Sequence, residues 1–153
     1  MGVTLSGIGN QVPAGSEHSS SRWKSLLDSA RAEVATETRL ARAGLSSLRH
    51  YSNHVDQLLK EIYDHAQRDL DTPNALIAIG GYGRQQLCLH SDIDLMVVFN
   101  GEIKTAEKRF LRSLLHPLWD LHLDVGHQVR QLSELNVVET DNPKHLLALL
   151  EAR

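Results

Sequence analysis

Two aspartates, Asp92 and Asp94, stand on either side of Ile93 at the start of an apolar run that ends at Phe99. Side chains alternate between the two faces of a strand, so the carboxylates are predicted to share one face while Ile93 and Leu95 point into the core. Two carboxylates about 6–7 Å apart beside a core repel each other unless a cation lies between them. Mg²⁺ takes carboxylate, water and phosphate oxygens as ligands, so the pair predicts a magnesium site. The alternative for an isolated pair is a turn cap followed by a solvated charge at the strand end.

A glycine-rich turn about ten residues upstream supplies groups that suit phosphate. Gly80, Gly81 and Gly83 permit positive φ and close approach of the backbone, so their N–H groups can form a concavity for phosphate oxygens. Arg84 adds a permanent positive charge. The turn is not a P-loop, which needs Gly-Lys-Ser/Thr, and it lacks the G-x-G-x-x-G spacing of a dinucleotide-binding turn. Residues 87–91, rather than an apolar strand, precede the aspartates, which argues against a phosphatase with an aspartyl nucleophile.

Together these motifs resemble the signature of the DNA polymerase β nucleotidyltransferase superfamily, in which a strand, Gly-Gly and about ten residues precede Asp-hydrophobic-Asp-hydrophobic. Within that superfamily, G-G-Y-G-R-x-x-L and S-D-I-D-L, with V-G-H-x-V-R further on, are similar to the nucleotidyltransferase domain of the bifunctional PII uridylyltransferase/uridylyl-removing enzymes. The similarity extends from about residue 40 to residue 153. Gln86 departs from the family pattern, because relatives usually carry an acidic residue there, and this changes the charge balance around Arg84.

The resemblance implies an α/β (α+β) fold of the polymerase β-like type, with a small mixed sheet, helices mainly on one face, and two helices before it. It also implies an enzyme that transfers UMP from UTP to a tyrosine hydroxyl of the PII signalling protein, a nitrogen regulator, and releases pyrophosphate. Adenylyl transfer by a related family stays open, because no residue here is assigned to reading the base. The alternatives from other classes are a truncated nucleotide-binding or regulatory module with little turnover, and a domain whose aspartates are structural.

The resemblance also assigns roles to individual residues. Asp92 and Asp94 would hold two Mg²⁺ ions, one of which lowers the pKa of the acceptor hydroxyl while the other neutralises the leaving pyrophosphate. Asp124 fits as a third carboxylate, because it lies between hydrophobic residues on a later predicted strand; its alternative is a solvated charge at a sheet edge. The residues carried over are Asp92, Asp94 and Asp124 as catalytic and metal-binding groups, and Gly80, Gly81, Arg84 and Ser91 as groups that bind the nucleotide or orient Asp92.

Apolar periodicity predicts the elements that must position these residues. Two helices with apolar residues at three- and four-residue spacing precede three short segments typical of strands. Pro117 is expected to kink or end the helix after the second strand, because proline lacks a backbone donor. The predicted helices cover residues 22–42, 45–70, 105–115 and 142–153, and the predicted strands cover residues 75–79, 95–99 and 123–130.

Three regions are expected in this chain of 153 residues. Residues 1–21, which are rich in glycine and serine, are predicted to form a disordered tail. Residues 22–70 are predicted to form a helical region, and residues 71–153 are predicted to form the nucleotidyltransferase core. In the family that the chain resembles, this core continues into a metal-dependent phosphohydrolase domain and two small amino-acid-sensing domains. The chain is therefore expected to be an N-terminal fragment whose core is truncated.

Composition excludes several classes of partner and site. The formal net charge of −3 provides no basic field for nucleic acid. Cys88 is the only cysteine, which excludes an internal disulfide and a cysteine-based zinc site and agrees with a reducing cytoplasm. The sequence contains no run of about 18 apolar residues, so no association with a membrane is predicted.

Two pairs of polar residues lie outside these motifs. His50 and His54 stand at i, i+4 and could ligate a metal, but no acidic third ligand lies nearby in sequence, so a solvated face is predicted. His127 and Arg130 on the third strand are expected to face the cleft of the aspartates. The alternative for His127 is a buried, hydrogen-bonded side chain.

Overall fold

Three strands form one mixed sheet in the order β1-β2-β3 in a computed structural model that describes residues 16–40, 42, 44–135 and 150–153. The strands are β1 (Asn74–Ala78), β2 (Ile93–Phe99) and β3 (Val125–Gln131). β1 runs antiparallel to β2, whereas β3 runs parallel to it. A parallel pair needs a long crossover, and a helix between β2 and β3 provides it. The predicted α/β class with a small mixed sheet is confirmed.

Helices precede, connect and follow these strands. The bounds are α1 (Ser16–Arg39), α2 (Leu45–Ala66) with a short 3₁₀ turn at Gln67–Asp69, α3 (Gly80–Gly83), α4 (Thr105–Asp120) and α5 (Leu132–Leu135). The predicted pair of helices before the sheet is confirmed, although α1 begins at Ser16 rather than at residue 22. Within the described residues, the helices are too short or too polar to cross a membrane.

α4 continues through Pro117 to Asp120, so the predicted end near residue 115 is wrong. Proline removes one backbone donor, but the turns around it are held by Leu114, Leu115 and Leu118, none of which is exposed. The amide of Leu121 donates to the carbonyl of Pro117 at 3.1 Å, so hydrogen bonding continues beyond the proline. Packing of the helix against the core therefore outweighs the missing bond.

Apolar residues cover the two faces of the sheet unequally. On one face, Leu95, Val97 and Phe99 are buried in a large cluster with residues of α1, α2 and α4. On the other face, Met96 and Val98 form a small cluster with Ile79 and partly buried neighbours. Most helices thus lie on one face, as predicted, and the opposite face of β2 carries the aspartates.

The described C-terminal residues lie beside β1. The amide of Ala78 donates to the carbonyl of Arg153 at 2.9 Å, and the amide of Arg153 donates back to Ala78 at 3.0 Å. The predicted helix over 142–153 lies outside the described residues up to 149, and Ala152 and Arg153 are not helical. The final residues therefore pair with the edge of the sheet instead of continuing a helix.

Candidate active site

Asp94 projects from β2 on the face opposite the large core cluster. Its neighbours Ile93 and Leu95 are each 1% exposed and belong to that cluster, so alternation places Asp94 and Asp92 together on the other face. The pKa of Asp94 is raised, first because the carboxyl is partly buried and second because Asp92 is negatively charged. Two carboxylates that repel each other on one face provide the oxygen donors that a hard divalent cation prefers, so these residues fit Mg²⁺.

Two glycines leave room for the Asp94 carboxylate. Gly126 pairs with Asp94 across β2 and β3, and a Cβ at Gly126 would lie 2.6 Å from Asp94 Oδ1. Gly80 has a φ of +60°, and a Cβ there would lie 3.1 Å from Asp94 Oδ2. The carboxylate is therefore bordered by backbone on both sides, and larger residues at these positions would displace it.

The turn after β1 forms the single helical turn α3. Its first hydrogen bonds run from the Gly83 amide to the Ile79 carbonyl at 3.0 Å and from the Arg84 amide to the Gly80 carbonyl at 3.2 Å. The amides of Gly80 and Gly81 precede these bonds, and such amides at the start of a helical turn lack an intrahelical acceptor. Because Gly80 also lies against Asp94, these amide donors lie at the end of the turn that is next to the aspartates.

Tyr82 anchors this turn to α2. The ring is 2% exposed, and its hydroxyl donates to Asp56 Oδ1 at 2.5 Å. Asp56 also pairs with both terminal nitrogens of Arg153. A buried aromatic side chain thus fixes α3, and with it Gly80, relative to the helical layer.

Arg84 ends α3 and is already engaged within the chain. Its Nη1 donates to Glu151 Oε2, and its Nε donates to Gln86 Oε1 at 3.4 Å. Gln86, which departs from the family pattern, therefore offers a neutral acceptor, while Glu151 supplies the negative charge. A phosphate that bound Arg84 would compete with Glu151.

Ser91 and Asp124 flank the aspartates along the chain and across the sheet, respectively. Ser91 is exposed in the turn before β2, where its amide donates to Cys88 at 3.1 Å. The carbonyl of Asp124 accepts from the amide of Ile93 at 2.8 Å, so Asp124 directly precedes β3 as Asp92 precedes β2. Alternation from that register places the exposed Asp124 side chain on the face of Asp94.

His127 does not face the aspartates. It pairs with Leu95 in the parallel register, on the face covered by helices, and its ring centroid lies 6.1 Å from that of Trp119 on α4. Arg130 pairs with Val98 and so lies on the opposite face. The expectation that both side chains share the cleft is wrong, because residues three apart on a regular strand point to opposite sides. His127 is also exposed, which rules out its buried alternative.

A cavity of about 480 Å³ lies elsewhere, between α2 and β1. Leu76, Ala78 and Leu95, which line it, point to the helical side of the sheet, and neither Asp92 nor Asp94 contributes to its wall. The aspartates therefore lie outside this cavity, on the opposite face of the sheet.

Two residues of the site have roles that the motifs do not assign. Gly126 makes room for Asp94. Alternation along β3 could have indicated this role, because it places Gly126 on the same face as Asp94 once the pairing register of β2 and β3 is known. Glu151 neutralises Arg84 from a position 67 residues away in sequence, and no local pattern marks that contact.

Comparisons with known proteins identify relatives by sequence, while no family model matches the chain. The chain is 34% identical over 122 residues to the bifunctional uridylyltransferase/uridylyl-removing enzyme of Methylococcus capsulatus, with 80% of this chain and 14% of that enzyme covered. It is 35% identical over 140 residues to the enzyme of the same name from Novosphingobium aromaticivorans, with 85% and 15% covered. The corresponding enzyme of Idiomarina loihiensis is 33% identical over 135 residues, with 86% and 15% covered. The chain thus spans only a small part of the length of these relatives.

Proposed function

Because this chain belongs, over its aligned residues, to the family of bifunctional uridylyltransferase/uridylyl-removing enzymes, we propose that it carries a nucleotidyl-transfer site that moves UMP from UTP to a tyrosine hydroxyl of the PII signalling protein. The observation that carries this proposal is the position of Asp94. Its carboxylate shares a face with Asp92 and lies between the backbones of Gly80 and Gly126. Acidic oxygens and the amides of a glycine turn therefore lie side by side, as transfer from a triphosphate requires.

Asp92 and Asp94, with Asp124, are the proposed ligands of Mg²⁺. When bound there, Mg²⁺ would lower the pKa of the acceptor hydroxyl and offset the charge of the departing pyrophosphate. The contribution of the chain is to hold three acidic groups at the ends of adjacent strands. Asp124, which is exposed, would orient the acceptor hydroxyl or take its proton.

The α3 turn is the proposed phosphate-binding element. The amides of Gly80 and Gly81 would donate to the β- and γ-phosphates, Arg84 would add a positive charge, and Ser91 would contact phosphate or orient Asp92. The tyrosine oxygen would then bond to the α-phosphorus as the bond from that phosphorus to pyrophosphate breaks. UTP as donor and the cytoplasm as location are part of the proposal, whereas a nucleic-acid partner is not, given the net charge of −3.

Replacing the carboxylate of Asp94 tests the proposal directly. Asp94→Asn keeps the size of the side chain but removes its charge, so Mg²⁺-dependent incorporation of labelled UMP into PII should fall by at least about a hundredfold, while the circular dichroism spectrum stays unchanged. Asp120→Asn, at an exposed position of α4, is the matched control and should keep its activity. Full transfer by Asp94→Asn would refute the assignment.

A second function, a nucleotide-binding or regulatory module with little turnover, is favoured by the coverage of the relatives. The alignments leave about 85% of each relative unmatched, so surfaces that engage the acceptor protein can lie there. A thermal-shift titration separates the two functions, because a ligand that binds the folded state raises stability by RT ln(1 + [L]/Kd). Stabilisation by UTP with Mg²⁺ but no transfer indicates the module, and equal stabilisation by ATP indicates the adenylyl alternative.

A further inference from the structure

Two acidic side chains and two imidazoles meet where α1 packs on α2. Glu33 and Glu37 stand at i, i+4 on α1, and His50 and His54 stand at i, i+4 on α2. This spacing places each pair on one side of its helix. The acidic partner that the two histidines lack in their own sequence neighbourhood is thus supplied by the other helix.

The distances between these groups suit a metal ion. One ligand atom from each of Glu33, Glu37 and His50 lies within 4.8 Å of the other two. His54 Nε2 lies 3.3 Å from Glu33 Oε2. Two ligands of a tetrahedral Zn²⁺ site, each about 2.0–2.1 Å from the ion, are themselves roughly 3.3–3.4 Å apart. The Nε2 of His54 and the Oε2 of Glu33 already have this separation.

Glu37 supplies an independent reason for an ion at this position. Among the described residues, its Oε2 is one of two buried side-chain atoms without a hydrogen-bond partner, the other being Gln128 Oε1. A buried carboxylate oxygen without a partner is unfavourable, and such atoms in folded proteins call for an explanation such as an unseen ion. A cation held between Glu37, Glu33 and His50 provides one.

We propose that Glu33, Glu37 and His50 bind a divalent transition-metal ion, with His54 as the fourth ligand, and that the ion fixes α1 to α2. A set of two imidazoles and two carboxylates favours Zn²⁺ over Mg²⁺, because imidazole suits zinc whereas Mg²⁺ prefers an all-oxygen shell. The site shares no residue with the acidic group of Asp92, Asp94 and Asp124. It therefore stands independently of the proposed transfer reaction.

Zinc titration of the chelator-treated 153-residue chain by isothermal calorimetry tests the proposal. Asp92→Asn/Asp94→Asn is used as the background so that the other acidic site does not contribute. One Zn²⁺ per chain is expected, and Glu37→Gln or His50→Ala should each weaken binding by at least about tenfold. Glu102→Gln and His116→Ala, at exposed positions outside the cluster, are matched controls and should leave the affinity unchanged.

Two results would overturn the proposal. The first is zinc affinity in Glu37→Gln and His50→Ala equal to that of the background protein. The second result applies if the variants fail to fold, and it comes from the ¹⁵N resonances of the histidine rings in the unaltered chain. Zn²⁺ should shift the His50 and His54 signals at one equivalent, and a spectrum in which only other histidines respond would exclude the site.

Discussion

Gly126 lies directly opposite Asp94 in the β2–β3 ladder, and the missing side chain of this glycine is what leaves space for the Asp94 carboxylate. The relationship joins two motifs that are far apart in the sequence. Asp94 belongs to the acidic pair, and Gly126 belongs to the Val-Gly-His stretch of β3. The glycine therefore acts as a positioning residue for the acidic face.

Gly126→Ala is expected to disturb the acidic face without unfolding the chain. The new methyl group would stand 2.6 Å from Asp94 Oδ1, so the carboxylate must rotate away. Affinity for Mg²⁺ with UTP should fall by about 10–100-fold, as for other changes beside a metal ligand. Thermal-shift titration measures this loss. Gly44→Ala is the control, because a Cβ at Gly44 meets nothing within 4 Å, and equal affinities in the two variants would contradict the role of Gly126.

The ion pair of Arg84 and Glu151 predicts a substitution that raises the affinity for nucleotide instead of lowering it. Their side chains are 44% and 34% exposed, and an ion pair at this exposure contributes about 0.2–1 kcal/mol. Glu151→Gln removes the competitor for Arg84, so affinity for UTP should rise by up to about fivefold, whereas Arg84→Ala should lower it. Calorimetric titration with UTP and Mg²⁺ measures both changes. Glu102→Gln, which affects only the exposed pair with Lys104, should behave like the unaltered chain.

Local periodicity was sufficient to predict the acidic face. The common face of Asp92 and Asp94 follows from alternation alone, which needs no knowledge of the neighbouring strands. The same rule places His127 and Arg130 on opposite faces, so the expectation of a shared cleft contradicts the periodicity of the strand itself. Alternation within a strand is thus sufficient to predict which side chains of this sequence share a face of the sheet.

Contacts between distant residues could not be predicted in this way. Glu151 reaches Arg84, and Glu33 reaches His54, only because tertiary packing brings separate elements together. Pro117 shows the same limit for a helix boundary, since the fully buried Leu118 beyond it keeps α4 helical. A proline or a histidine pair therefore does not by itself determine the local structure or the contacts, because packing against elements far away in the sequence determines them.

Tyr82→Phe should destabilise the chain because it removes a hydrogen bond to the charged Asp56. Bonds of this kind contribute about 1.5–3 kcal/mol, so the free energy of unfolding at neutral pH should fall by that amount. Tyr63→Phe is the matched comparison. Its hydroxyl donates to the neutral amide oxygen of Asn74 at 2.8 Å, so the expected loss is only about 0.5–1.5 kcal/mol. Urea unfolding measures both, and a larger loss for Tyr63→Phe would contradict the prediction.

The Tyr82 hydroxyl also predicts a dependence on alkaline pH. Burial and the bond to Asp56 raise its pKa well above the ordinary value of 10.0, so the folded state keeps a proton that the unfolded state releases. The free energy of unfolding should therefore be constant with respect to this group below pH 10 and should decrease as pH rises above 10. Tyr82→Phe should show a shallower decrease in urea unfolding above that pH. An equally steep decrease would mean that Tyr82 is not the group responsible.

Glu107 predicts a dependence on acid pH with the opposite sign. Its side chain is buried, and the pKa of the carboxyl is lowered, first by the hydroxyl of Thr72 at 2.5 Å and further by the amide of Lys104 at 2.8 Å. The stabilisation is present above the ordinary pKa of 4.5 and is lost as pH falls through the lower value of the folded state. Thr72→Val should thus lower the free energy of unfolding by about 1.5–3 kcal/mol at neutral pH and by less in strong acid. Thr36→Val, which affects only a hydrogen bond to the Ala32 carbonyl, is the control. If Thr72→Val lowered the free energy of unfolding by the same amount at every pH, the Glu107 carboxylate would not be involved.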